Sequence, residues 1–404
     1  MRKTIQFLVL LFFILILVFR KNISQVTFGP LYFIEFVHVI IIIPFILYLF
    51  LNKLYINKTF YKLFFSIIIF FLFGFARFLI DPGSIQHFIP FFYPLYIILY
   101  ILLFFNLFHV DSKNDTNSFE KKVIFFLMIF LFTPIILFGS GIIGAGNTLI
   151  YSICFFSIIL FLRNTIIQFI LVGLFFVSFF LSLERAILVN TFIPLLIYLN
   201  IILKTNKKQI LRLAYFSIPV LILLVVYFDQ IAQLATSQLD LRFEINKENI
   251  IGFVKTIWSS DVEFNEGGAI GSRNHRIEMW LEVVKETSKS TSGILFGDGF
   301  SGKIVDNEFA GIPHNGFITI FKRTGLVGIF LFSFLLLKIF ESIKPLKLIS
   351  LKKYLFLNLI FFAFILEMMT GTVIDSPFTA IIIYMLFAYG ISLGRMNKNS
   401  VKFE

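Results

Sequence analysis

The sequence predicts an all-α polytopic membrane protein of about twelve transmembrane helices, with one large hydrophilic loop towards its C-terminal third. Three observations predict this class. The chain is 58% hydrophobic and only 14% charged, with a mean hydropathy of +0.93, whereas soluble domains carry roughly a quarter charged residues. Apolar runs near the ~20 residues needed to cross a bilayer recur along the whole chain. The basic residues gather in short clusters between these runs, as in loops that face the cytoplasm. A disordered chain, a disulfide-rich secreted domain and an ordinary soluble enzyme are excluded by this composition. The net charge of +12 invites a nucleic-acid reading, but its distribution between apolar runs argues against that partner. One cysteine, Cys154, lies inside an apolar run, which leaves neither an internal disulfide nor a thiolate metal site.

The expected spans, in order, are 4–19, 31–51, 63–80, 88–108, 123–141, 147–162, 165–183, 186–203, 213–228, 316–340, 354–370 and 376–394. The first follows Arg2-Lys3 and resembles a signal peptide. Its apolar core ends at Arg20-Lys21 with no small-residue cleavage signature, so it is read as a retained span. With the N-terminus inside, the inner segments hold 21 Lys and Arg residues, among them Lys53, Lys58, Lys204, Lys207, Lys208 and Arg395. The short outer turns hold Arg20, Lys21 and Arg185. That asymmetry predicts cytoplasmic termini on both sides of the chain. It also divides the chain into a bundle of about nine spans (1–228), an outer loop (229–313) and about three C-terminal spans with a short cytoplasmic tail (314–404).

The loop holds 13 acidic and 8 basic residues and both tryptophans, Trp258 and Trp280. Loops of this length are functional or disordered. Ile277, Trp280, Leu281 and Val284 recur at helical spacing, which argues for a folded element over 274–289.

Ionisable groups inside spans are costly and mark function by default. Glu35 and His38 share a helix face, Arg77 lies near the end of the third span, Glu184-Arg185 lies between two spans, Glu367 ends the eleventh and Asp375 begins the twelfth. With the orientation above, all map to the outer half of the membrane. A transporter with a midplane site would carry polar groups or broken helices near the bilayer centre, and neither is evident. The plain alternative is that these groups reach the lipid–water boundary and pair with one another.

Three segments carry chemistry: SLERA at 182–186; RIEMW at 276–280 followed by LFGDG at 295–299; and PHNGF at 313–317 followed by KRTGLVG at 322–328. Arginine presents a fixed fork of donors that suits phosphate oxygens. Two or three arginines on the outer face would hold a pyrophosphate, and a neutral histidine would take the proton of a hydroxyl nucleophile. Pyrophosphate leaves readily once its charge is stabilised. The chain has no DxD, no HExxH, no Cys/His cluster and no GxxxxGK[ST] loop, so the expected chemistry needs no metal and no cofactor. GDG at 297–299 reads as a tight turn. Alternatives stay open at single positions: His314 as a structural residue at a helix start, and Arg276 in a loop salt bridge with Glu278 or Glu282.

Taken as a set, these segments resemble the O-antigen polymerase and O-antigen ligase superfamily of bacterial membrane proteins. The resemblance covers about 183–328; the first six spans match in hydrophobicity alone. It implies a metal-independent GT-C-type glycosyltransferase in the cytoplasmic (inner) membrane, with its active site facing the periplasm and an undecaprenyl-diphosphate-linked oligosaccharide as donor. By motif position, Arg185 and Arg276 would contact the diphosphate and His314 would be the base or orient the acceptor hydroxyl. Arg273 is the alternative to Arg276. Lys322, Arg323, Arg77 and Asn315 are further candidates for binding diphosphate or sugar. Glu184 departs from the family pattern, which has a small or polar residue there, and it competes with phosphate for Arg185. The implied activity is polymerisation of lipid-linked repeat units, with a chain-length regulator and a flippase as partners. A ligase acting on lipid A core is the alternative, and a lipid-oligosaccharide flippase the lesser one.

Overall fold

The computed structural model describes residues 27–28, 31–32, 60–83, 85–106, 148–162, 164–182, 187, 189–204, 207–208, 211, 279–300, 315–370 and 377–400. These residues are almost wholly helical. The exception is a two-residue antiparallel ladder, in which Thr27 of β1 (Thr27–Phe28) faces Tyr32 of β2 (Leu31–Tyr32). The expected span 31–51 therefore begins on a short extended ladder. Spans 4–19, 123–141 and 213–228 lie outside the described residues, as does most of 31–51.

The eight other expected spans each coincide with described helix. They are α1 (Tyr61–Ile80), α2 and α3 (Ile85–Phe88 and Leu95–Asn106), α4 (Thr148–Phe161), α5 (Thr165–Ser182), α6 (Val189–Lys204), α9 (Gly316–Ile343), α10 (Leu351–Thr370) and α11 (Pro377–Ser400). The loop contributes α7 (279–287) and α8 (Thr291–Phe296). Among the described residues, two helices are long and apolar enough to cross a membrane, Tyr61–Ile80 and Gly316–Leu348, the latter including a 3-10 turn after α9. The span expected over 88–108 is interrupted, because Pro90 and Pro94 lack the N–H that a continuous helix uses. A 3-10 turn, Ile89–Phe91, fills the gap.

Helix α1 shows why these elements pack as they do. Leu63, Ile67, Phe70 and Gly74 are buried on one face, while Tyr61, Phe65, Ile68, Leu72, Phe75 and Leu79 form an exposed stripe on the other. Both faces are apolar, which suits lipid on the outer side better than water. Gly74 admits the Phe91 ring against the α1 backbone; a methyl group there would collide with it.

Ring contacts fix the helix directions. Phe70 of α1 meets Phe332 of α9 at 5.4 Å, and Lys62 at the start of α1 lies near enough to Glu341 at the end of α9 to attract it. Phe340 of α9 meets Phe361 of α10 at 5.4 Å, and Asn315 at the start of α9 bonds Met369 at the end of α10. Tyr198 of α6 lies 5.8 Å from Phe362, and Asn190 near the start of α6 bonds Glu367. Neighbours along this path run antiparallel. The C-terminal ends of α1 and α10 and the N-terminal ends of α6 and α9 therefore lie together, at what is here called the upper end.

Helix α9 is broken. Gly325 adopts φ 65 and ψ −162, a conformation that strains residues with a Cβ. No break was evident in the sequence, so this is a correction: a single glycine in an apolar run passes for a tolerated one. The break lies about 14 Å along the helix from Gly316, in its upper part. Breaking a helix frees carbonyls that must find partners. Thr324 Oγ1 donates to the Ile320 carbonyl at 2.7 Å. The Lys322 carbonyl accepts from the backbone N–H of Asp298 at 2.7 Å, so the loop supplies a donor that the helix needs.

Candidate functional site

The site is built where the loop meets the broken helix. Gly297 and Gly299 have φ of 74 and 84, so GDG is a tight turn as expected, and both positions need glycine for a second reason. A Cβ on Gly297 would strike the backbone of Lys322 to Thr324, and one on Gly299 would strike the Asp81 carboxylate. The turn is held at both ends. Upstream, α8 is capped by Ser290, whose Oγ accepts from the Gly293 N–H at 2.8 Å. Downstream, Phe300 is buried among Phe78, Phe88 and Phe91, with ring centroids 5.5–6.0 Å away. Its N–H donates to the Asp81 carbonyl at 3.4 Å.

Charged groups from separate parts of the chain lie around this turn. Arg77 Nη2 donates to the Gly297 carbonyl at 3.0 Å across 220 residues of sequence. Its Nε is buried and has no hydrogen-bond partner. Lys322 and Arg323, adjacent on α9, are buried at 7% and 6% exposure. Asp298 attracts Lys322, while Arg323 repels it. The Asp298 carboxylate also accepts from Thr287 Oγ1 at 2.6 Å. Three cations are thus gathered against two carboxylates, Asp81 and Asp298. Guanidinium and ammonium donors of this kind suit an anion with several acceptor oxygens.

A second polar group lies at the upper end of the same helix. Asn315 caps α9, its Oδ1 accepting from the N–H groups of Phe317 and Ile318 at 3.0 and 3.1 Å. Its Nδ2 donates to the Met369 carbonyl at 2.9 Å. Gly316 abuts the Met368 side chain closely enough that a Cβ would collide with it. Beside Met368, Glu367 is buried between α6 and α10, with Asn190 Nδ2 donating to its Oε2. Glu367 is thus enclosed by helices, and one of its partners is a neutral amide. Next to Asn190, Thr191 and Ser152 share a hydrogen bond at 2.9 Å.

Of the residues expected from sequence, Arg77, Lys322 and Arg323 are brought together, and Asn315 lies about 10 Å from Lys322 along α9. His314, Arg276, Arg273 and Arg185 lie outside the described residues, as do Glu35, His38, Glu184 and Asp375. His314 directly precedes the capping Asn315 in the chain. Sequence reasoning missed Asn190, Asp81, Thr287 and Asp298. Asn190 carried a signal, being an amide inside an apolar run; the others carried none, because loop carboxylates and hydroxyls are common on solvated surfaces. Compared with protein-family models and with curated proteins, the chain matches none of them.

Proposed function

We propose that this chain is a polysaccharide polymerase of the cytoplasmic membrane, acting on the outer face on repeat units linked to undecaprenyl diphosphate. The observation that carries the reading is the assembly of Arg77, Lys322 and Arg323 around the Gly297–Gly299 turn, next to the helix that Asn315 caps. A cluster of cations, two of them buried, suits a diphosphate, and the upper end is where the Lys and Arg distribution puts the outer leaflet. In this reading the chain has about twelve spans, both termini in the cytoplasm, and residues 229–313 as a periplasmic loop domain.

The chemistry needs one bond made and one broken. The acceptor hydroxyl oxygen forms the new bond to the anomeric carbon of the donor glycan. The bond from that carbon to the diphosphate oxygen breaks, and undecaprenyl diphosphate leaves with the electron pair. His314 takes the hydroxyl proton or orients the hydroxyl. Arg185 and Arg276 hold the diphosphate charge, with Arg273 the alternative to Arg276. Lys322, Arg323 and Arg77 lower the cost of the leaving group from beneath. No metal or cofactor takes part in the step.

The test is chain length. His314→Ala and Arg276→Ala are expected to abolish long-chain polysaccharide on a sugar-stained gel while the protein stays in the membrane; wild-type chain length in both removes the mechanism. The deletion strain separates polymerase from ligase. A single repeat unit still attached to lipid A core means a polymerase was lost, and polymerised glycan left on undecaprenyl diphosphate means a ligase was lost. Loss of activity on chelation in purified protein would contradict the metal-free step. A lipid-oligosaccharide flippase remains the reading from another class. The hydrophilic loop argues against it, since a carrier has no need of one.

A further inference from the structure

At the lower end, away from the candidate site, α9 runs out into the 3-10 turn Lys344–Leu348. The turn is anchored on one side. Leu346 is completely buried, and its backbone nitrogen lies 3.2 Å from where a Cβ on Gly394 of α11 would stand. Two residues on, Leu348 is 91% exposed, and Ile349 follows it at 37%. A 3-10 turn repeats every three residues, so Lys344 and Lys347 share a face, and both are exposed. Exposed Lys62 at the start of α1 belongs to the same patch, because Lys62, Lys338 and Lys344 all attract the Glu341 carboxylate. Glu341 is bonded by Lys338 at 2.8 Å. Among the described residues it is the one acid at this end, so the patch keeps a positive excess. Apolar surface adjoins it. The Lys344 ammonium lies 5.3 Å from the Phe340 ring centroid. Tyr61, beside Lys62, and Leu337, about 10 Å up α9 from Lys344, are both more than half exposed.

We propose that this patch binds an anionic phospholipid of the leaflet at the lower end. Lys62, Lys344 and Lys347 hold the headgroup phosphate, the acyl chains lie along Leu337, and Leu348 enters the headgroup layer. Cations beside exposed apolar side chains match a molecule that carries a phosphate at one end and hydrocarbon at the other. A soluble anion would meet the lysines and leave Leu348 in water. The site rests on α1 and α9 lying in a membrane and is independent of the glycosyl-transfer step. It gives the lower end of α1, the end of α9 and the turn after it one shared ligand.

The experiment uses the purified full chain in a neutral detergent, titrated with phosphatidylglycerol or with phosphatidylcholine, and reads the thermal midpoint by tryptophan fluorescence. Phosphatidylglycerol is expected to raise the midpoint and to saturate; phosphatidylcholine at the same mole fraction is expected to leave it in place. The side chains of Lys344, Lys347 and Leu348 are exposed, so substitutions there leave the lipid-free midpoint unchanged. The double variant Lys344→Gln with Lys347→Gln is expected to need about 25-fold more phosphatidylglycerol for half of the rise, about 5-fold for each lysine lost. Leu348→Gln is expected to need about 10-fold more. Lys207→Gln with Lys208→Gln removes the same charge from exposed lysines elsewhere and is expected to titrate like wild type. Equal weakening by that control means diffuse charge attraction and overturns the site, as does an equal response to the two lipids. The same rise with inorganic phosphate alone means a soluble anion, and with polyglutamate an acidic protein segment; either overturns the lipid.

Discussion

Arg77 is the residue on which the loop turns. One of its nitrogens donates to the Gly297 carbonyl and another is buried without a partner. Arg77→Leu keeps the bulk but removes the charge and the bond. It is expected to lower polysaccharide yield by about 10- to 100-fold, measured against membrane protein level. Arg77→Lys retains the charge but not the fork of donors, so it is expected to recover part of the loss. Full recovery by lysine would mean that charge alone matters there. Asn315 separates two roles in the same way. Asn315→Asp keeps an oxygen to cap α9 and gives up the bond to Met369, whereas Asn315→Ala gives up both. The alanine variant is expected to be the less stable, by about 1 kcal/mol for the cap, read as a lower thermal midpoint in detergent. At this scale the cations were legible in the sequence because charge stranded in apolar runs demands explanation. Glu367 was legible as unusual but not as enclosed, because a carboxylate at a helix end reads the same whether lipid headgroups or another helix covers it.

At the scale of the element, α9 carries most of the information. Its boundaries and type follow from hydropathy, and Asn315 before an apolar run is a sufficient start signal. The break at Gly325 does not follow. It depends on the turn at 297–299 docking against Lys322 and on the Leu295 backbone lying where a Gly325 side chain would go. Contacts between segments far apart in sequence leave no periodic trace. Gly325→Ala is expected to cost about 1–3 kcal/mol from the backbone conformation and more from the collision with Leu295. The loop would then detach from the helix, and polymer yield would fall with the melting temperature. A variant that melts and polymerises like wild type would show the break to be incidental. The same reasoning explains the interrupted helix over 85–106, where Pro90 and Pro94 were visible in the sequence but their combined effect on a span was not.

For the molecule as a whole, composition and charge placement speak most clearly, because lipid constrains every span at once. The antiparallel path through α1, α9, α10 and α6 has the same alternation that the Lys and Arg clusters assign. Site-directed labelling checks the sidedness. Cys154 is fully buried, so Cys154→Ser gives a silent background. A cysteine placed at exposed Lys289 is expected to react with an impermeant maleimide on intact spheroplasts, and one at Lys207 only after permeabilisation. The reverse pattern would invert the topology and remove the outer-face site. The surface pair of Lys289 with Glu286 adds little stability, so its loss does not confuse the result.

The docked turn also has a consequence for synthesis. Arg77 and its partner Gly297 are separated by 220 residues, and the broken helix that braces the turn comes later still. At about 5–20 residues per second, Arg77 enters the membrane roughly 10–45 seconds before the ribosome delivers the group that completes it. Throughout that interval the early helices exist without a finished site. A chain interrupted before Gly325 has the early helices but not the break that braces the turn. The docked turn is therefore a feature acquired late, after the helices it joins are already made.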